Sequence, residues 1–339
     1  MTPFRDIESR RSRAKSTYTD TKKHYVRVHG WLPVFKRYAA MRKEGVRYLT
    51  LCAKMAIDIR YFCLKNLLLH DDKEKKYPTV AFIEQDAQDY ATIAETLGTT
   101  KLGIKGDLEG ILLEPATFPE DHKALIESFP YDIINLDFTG DVVPENDPPY
   151  NSTIKAIERI MQAQHESGAG EWHMFLTFRA CRSTANDDAN GQLHRIIEGN
   201  LVDVAAKAAY GGKPAPSILL ANDYKEFLRI GMAKFLTHSS GTRGYAFNLE
   251  GSYHYPRKPM NGPDYYIIKL VAGFRPIRGT GHLHNPHIAQ EACKASVLQI
   301  FASAAVDVYA SLGNRVERQR IIEDLAPVMQ ELKRDGLVE

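Results

Sequence analysis

Cysteine is scarce in this sequence, with four in 339 residues, and no two of Cys52, Cys63, Cys181 and Cys293 form a Cys-x-x-Cys pair. That argues against a disulfide framework and against a cysteine-held zinc site, and it is the usage of an intracellular protein. Long apolar runs are missing as well. No stretch approaches the roughly 18 apolar residues needed to cross a bilayer, and the charged N-terminus lacks the apolar core of a secretory signal. The expectation is a cytoplasmic protein with no membrane partner. No charge sign dominates: the net charge is +2, so bulk electrostatics favour neither a nucleic acid nor an anionic surface. A Gly-Lys-Ser/Thr phosphate loop is absent, which speaks against a nucleotide hydrolase. No internal repeat or low-complexity tract interrupts the chain.

What is present is ordinary globular material, 44% hydrophobic and 25% charged, enough for one large domain or two smaller ones. The stretch from Tyr131 to Gly140 organises it. Ile133, Ile134 and Leu136 form an apolar run that stops at Asp137, and Thr139, Gly140 and Asp141 follow as turn formers. A buried strand of a parallel sheet reads this way when it ends in a polar loop at its carboxyl edge. Open α/β sheets bind ligands outside those carboxyl edges. Asp137 is therefore the first candidate site residue, with a plain turn or cap aspartate as the competing reading.

Upstream, Tyr25, Val28, Trp31, Leu32, Phe35, Tyr38 and Met41 recur at helical spacing and predict a helix lying against the sheet, broken near Pro33. Strands are predicted at 46–52, 79–83, 101–105 and 172–178, alternating with helices, which implies a doubly wound α/β sheet. Residues 192–209 read as helical, 217–221 as a short strand or a helix start, and 288–311 and 314–335 as helical. Residues 245–255 and 264–274 alternate and are aromatic, which predicts an antiparallel hairpin. The division expected is a basic, helical lead-in (1–45), an α/β domain (46–240) and a strand-plus-helix extension (241–339).

Three strands in succession end in acids: Glu84, Asp107 after Gly106, and Asp137. A carboxylate after the second strand of a nucleotide-binding sheet can accept both ribose hydroxyls. This pattern resembles the class I S-adenosylmethionine-dependent methyltransferases, with a doubly wound Rossmann-like sheet. Leu51-Cys52-Ala53 with Asp58-Ile59-Arg60-Tyr61, and Asn135-Leu136-Asp137-Phe138-Thr139-Gly140, are similar to motifs of the tRNA guanine dimethyltransferases. Thr21-Lys22-Lys23-His24 running to Tyr38 looks like the lead-in helix of the three-Cys-motif partner methyltransferases. The resemblance covers roughly residues 20–180. It implies S-adenosyl-L-methionine as cofactor, held by Cys52, Ala53, Asp58, Glu84, Asp107 and Leu108, with Asp137 and Phe138 as the catalytic positions.

The sequence departs from that pattern at the first loop. Ala53-Lys54-Met55-Ala56 has no glycine, although the family's backbone passes close to the cofactor there, and Lys54 and Met55 would project where the ligand lies. No proline follows Asp137. Two alternatives stay open: the cofactor sits differently, or it has been lost and the fold serves as a scaffold or binding subunit, for instance in a bacterial antiviral-defence or mobile-element complex. Candidate partners are accordingly nucleic acid or another protein.

Asp147-Pro148-Pro149-Tyr150 matches the signature of amino-methylating DNA enzymes, in which the aromatic ring grips a flipped base, but no buried strand directly precedes it here. Tyr150 is a candidate for stacking on a base, and a proline-started helix is the competing reading. Arg179 and Arg182 follow the fifth strand and are candidates for phosphate contact. His282, His284 and His287 are a weak metal candidate and read better as turn residues, so no metal site is expected. Arg5, Arg10, Arg11, Arg13, Lys15, Lys22 and Lys23 read as a solvated basic face.

Overall fold

The computed structural model describes residues 20–53, 55–69, 76–142, 152–258, 263–277 and 286–338. The chain divides into two units. The first falls within Met1–Val46, Leu51–Lys105 and Asp307–Glu339, and the second within Arg47–Thr50 and Gly106–Val306. Strand β1 (Tyr48–Leu51) has residues in both.

In the first unit, β2 (Lys76–Glu84) and β3 (Thr99–Lys105) pair in parallel, and the Cys52 N–H donates to the Ile83 carbonyl (3.2 Å), which carries the end of β1 alongside β2. The helix Ala87–Leu97 connects β2 to β3. It starts at Asp86, whose carboxylate accepts from the N–H groups of Gln88 and Asp89, and stops at Gly98.

The lead-in helix is a single run from Thr21 to Met41. Its middle, Arg27–Trp31, is a wider π-helical turn, and Pro33 follows just beyond it. Proline has no N–H and clashes with the carbonyl four residues back, and the wider turn absorbs both defects, so the helix continues where a break was expected. Tyr25, Trp31, Phe35 and Tyr38 are buried as predicted, whereas Met41, at the helix end, is exposed. The described partners of this helix are other helices. Phe35 stacks on Phe62 of Ile57–Leu64 (3.7 Å between centroids), and His24 meets Asp324 of Arg315–Arg334 (3.1 Å).

In the second unit, β1 runs parallel to β4 (Ile133–Asp141) and β4 parallel to β5 (Trp172–Ala180). Strand β5 is antiparallel to β7 (Tyr265–Pro276), which forms a hairpin with β6 (Tyr245–Arg257). The hydrogen-bonded order is β3-β2-β1-β4-β5-β7-β6-β8, where β8 is the two-residue strand Val306–Asp307. Its parallel part has the Rossmann order, with the reversal between β1 and β4. The fold is thus the doubly wound, Rossmann-like α/β sheet expected, and the hairpin is an antiparallel extension of it.

Ile133, Ile134 and Leu136 are fully buried, each contributing about 1.5–3 kcal/mol. The start of β4 is pinned twice. Buried Asp132 accepts from the Arg47 backbone N–H (3.0 Å) and from its guanidinium (2.8 Å), and Gln164 exchanges two 2.8 Å hydrogen bonds with the Tyr131 backbone.

Two expectations fail, and of the two readings left open for residues 217–221 the helical one holds. Strand β4 does not turn at Thr139: it bulges, advancing from Asp137 to Asp141 while β5 advances only from Thr177 to Arg179, and then pairs again. Residues 217–221 are helical, inside Pro216–Asn222. The stretches 192–209 and 288–311 are each interrupted, into Asp187–Glu198 and Val204–Tyr210, and into Pro286–Ala302 and Val308–Ser311.

Candidate functional site

In the first unit the loop after β1 is a tight turn. The Ala56 N–H donates to the Ala53 carbonyl (2.8 Å), and the buried Arg60 guanidinium holds the Met55 carbonyl (3.2 Å). Ala56 itself is left-handed, at φ 45° and ψ 38°. The turn thus asks at Ala56 for a conformation that glycine adopts without strain. The Met55 side chain is buried, and Lys54 lies outside the described residues. Cys52 and Asp58 are buried, and burial pushes the Cys52 thiol well up, so it stays protonated.

Glu84 ends β2 and is half-buried. Loss of solvent raises its carboxyl to about 7, Asp89 and Asp86 add to the effect, and the Asp86 N–H bonded to its Oε1 (2.8 Å) opposes it.

In the second unit Asp107 stands just beyond β3, exposed, and caps the helix Leu108–Leu113 through the Gly110 N–H (2.9 Å); Leu108 is buried beneath it. Asp137 is half-buried. Its Oδ1 is 3.3 Å from Nζ of Lys269 on β7, which also donates to Thr177 Oγ1 of β5 (2.8 Å). Phe138, in the bulge, is also half-buried.

Arg179 is already engaged. Its Nε donates to Asp141 Oδ1 (2.9 Å), a second nitrogen reaches Asp141 Oδ2, and its guanidinium covers the Tyr265 ring at 5.4 Å. The hydrogen bond to Asp141 raises its pKa further. Arg182 pairs with Asp187 at 2.7 Å. Tyr150, His282 and His284 lie outside the described residues, as does the side chain of His287. Among the described residues no cluster of His, Cys, Asp and Glu could hold a metal ion.

Sequence reasoning missed Lys269, Thr177 and Asp141. Lys269 left a readable trace, a lone charge inside Ile267-Ile268-Lys269-Leu270-Val271. Such a residue on a sheet interior needs a buried partner.

The crystal structure of M. jannaschii TYW2 in complex with AdoMet is similar to this chain. The two share 12% identity over 74% of this chain and 77% of that one, with a TM-score of 0.32. No curated protein matches the sequence. The profile of a family described as PP_RS20740-like matches residues 117–325, more than half of the chain, and the protein belongs to that family.

Proposed function

We propose that this protein is an S-adenosyl-L-methionine-dependent methyltransferase acting on an amino group of a nucleic acid. The observation that carries the reading is the placement of the acids. In the first unit Glu84 ends β2; in the second Asp107 caps the helix that follows β3, and Asp137 stands where β4 bulges, in strands that follow the Rossmann order, whose carboxyl side binds ligands. The residues present fit the cofactor in two respects. Glu84 offers a desolvated carboxyl for two ribose hydroxyls, and the β1 loop makes the left-handed turn at Ala56 without glycine.

In the first unit the reading assigns Glu84 to the ribose, and Cys52, Ala53 and Asp58 to the rest of the cofactor. In the second it assigns Asp107 and Leu108 to the adenine, Asp137 and Phe138 to the acceptor, and Arg179 and Tyr150 to the nucleic acid. The cofactor supplies an electrophilic methyl group when bound; the protein contributes orientation, holding the acceptor N–H on the Asp137 carboxylate.

The pairing of Arg179 with Asp141 and the capping role of Asp107 favour a second reading, a methyltransferase-fold scaffold without catalysis. Calorimetric titration with S-adenosylmethionine and S-adenosylhomocysteine separates the two. Micromolar binding that is lost in Glu84→Ala and Asp107→Ala supports the enzyme, and no binding at millimolar ligand sinks it.

A further inference from the structure

Three neighbouring strands of the second unit place a polar row in register: Asp137 on β4 pairs with Thr177 on β5, which pairs with Lys269 on β7. In-register residues of adjacent strands project to the same side, so the row is built by the sheet itself. Lys269 is 1% exposed and Thr177 is also buried, whereas the Asp137 side chain is 21% exposed. The row therefore runs from a buried ammonium to a carboxylate that a ligand can reach.

Stability does not explain the lysine. Desolvating an ammonium costs several kcal/mol, and replacing a buried ion pair by apolar residues of similar size is often neutral or stabilising. Flanked by Ile267, Ile268, Leu270 and Val271, the position would suit a methionine or leucine. The next pair along the same strands makes the contrast. Asp141 is bound by Arg179 and by the Thr184 hydroxyl (2.7 Å), and its carboxylate is only 4% exposed. That pair is closed to ligands, while the Asp137–Lys269 pair is open on its acid side.

We infer that Lys269 is the positioning residue of the Asp137 carboxylate, holding it ionised and fixed so that it accepts a neutral N–H of the acceptor. The inference rests on the methyltransferase reading for the identity of that acceptor. With an ammonium as counter-ion the carboxylate is a weak base: it orients an amino group and does not keep its proton. The same charge arrangement selects against an anionic reacting group, which the carboxylate would repel.

The test is a 13C-carboxyl NMR titration of the intact protein, with the Asp137 signal assigned by its loss in Asp137→Asn. The expected midpoint in the parent lies below the ordinary carboxylate range. Lys269→Met raises it by about one to three units, the effect of an opposite charge at this separation, and Lys269→Arg retains most of the depression. Thr177→Val, which removes one acceptor of the ammonium and keeps the charge, gives a smaller change and serves if Lys269→Met does not fold. An Asp137 midpoint unchanged in Lys269→Met, or unchanged in Thr177→Val where Lys269→Met does not fold, overturns the inference. Calorimetry with S-adenosylmethionine on the parent keeps the two proposals apart. Binding without the shift removes the role of Lys269 and leaves the enzyme reading standing. The shift without binding confirms the charge coupling and removes the methyltransferase reading.

Discussion

Replacing His24 by glutamine should remove a defined part of the protein's acid sensitivity. His24 is fully buried in the first unit, with Nε2 3.1 Å from Asp324 Oδ2. The geometry looks like an ion pair, but burial, and after it the Arg27 charge, lower the pKa from 6.5 to about 4 against the pull of Asp324. The ring is thus neutral at pH 7, with Nε2–H donating to the carboxylate. Its Nδ1 is buried without a partner, so a proton there would be an unsatisfied buried donor.

A histidine with a depressed folded pKa binds fewer protons folded than unfolded. Its contribution is complete above pH 6.5 and is lost as the pH falls toward 4. The interval of roughly 2.5 units corresponds to about 3 kcal/mol. Glutamine keeps an N–H donor for Asp324 and does not titrate. In urea titrations across pH 4–7.5, the free-energy difference between parent and variant should shift by about 3 kcal/mol in the variant's favour on going to acid. Parallel curves for the two proteins over that window would refute a buried neutral His24.

Three further outcomes follow from the same structure. Because the Glu84 carboxyl is raised to about 7, ionisation is incomplete at neutral pH, and a ligand that donates hydroxyls to its carboxylate should bind more tightly as the pH rises from 6 to 8; calorimetry in Glu84→Gln should show a flat profile. Ala56→Gly should stabilise the protein by about 0.5–1 kcal/mol, the relief of left-handed strain less the added chain entropy, whereas Ala56→Val should destabilise it, both read from melting curves. Arg179→Met strands a nearly buried Asp141 and should cost about 2–3 kcal/mol, less than a fully buried pair because Arg179 is partly exposed, and Asp141→Asn in the same chain should recover most of that loss.

The parallel core was legible because its strands are buried and read as nearly continuous apolar runs, as in Ile133-Ile134-Asn135-Leu136, where Asn135 alone interrupts. The end of β4 was not. Thr139 and Gly140 form turns and bulges equally well, and only the continued pairing of Asp141 with Arg179, supplied by a strand more than thirty residues later, decides for the bulge. Residues 217–221 had a local signal that outweighs their apolar character, because Pro216 at a first helical position starts a helix and serves a central strand badly. The π-helical turn before Pro33 left no trace beyond the proline, since the same sequence could have kinked.

The three strand-end acids show where local reading stops for a site. In sequence Glu84, Asp107 and Asp137 carry the same signal, a carboxylate closing an apolar run. In the structure each has different surroundings. Asp107 is exposed and spends an oxygen on a helix N-terminus. Glu84 loses solvent among other acids and moves toward neutrality. Asp137 faces a buried ammonium 132 residues along the chain. Position in the strand was fixed by local hydrophobicity, which a single segment encodes. The surroundings of Asp137 were fixed by a neighbour that the topology brings in, β7, whose antiparallel register sets Lys269 beside Thr177 and so within reach of Asp137. A carboxylate at a strand end is therefore a place to look for chemistry, and its capacity for that chemistry is decided by the strand beside it.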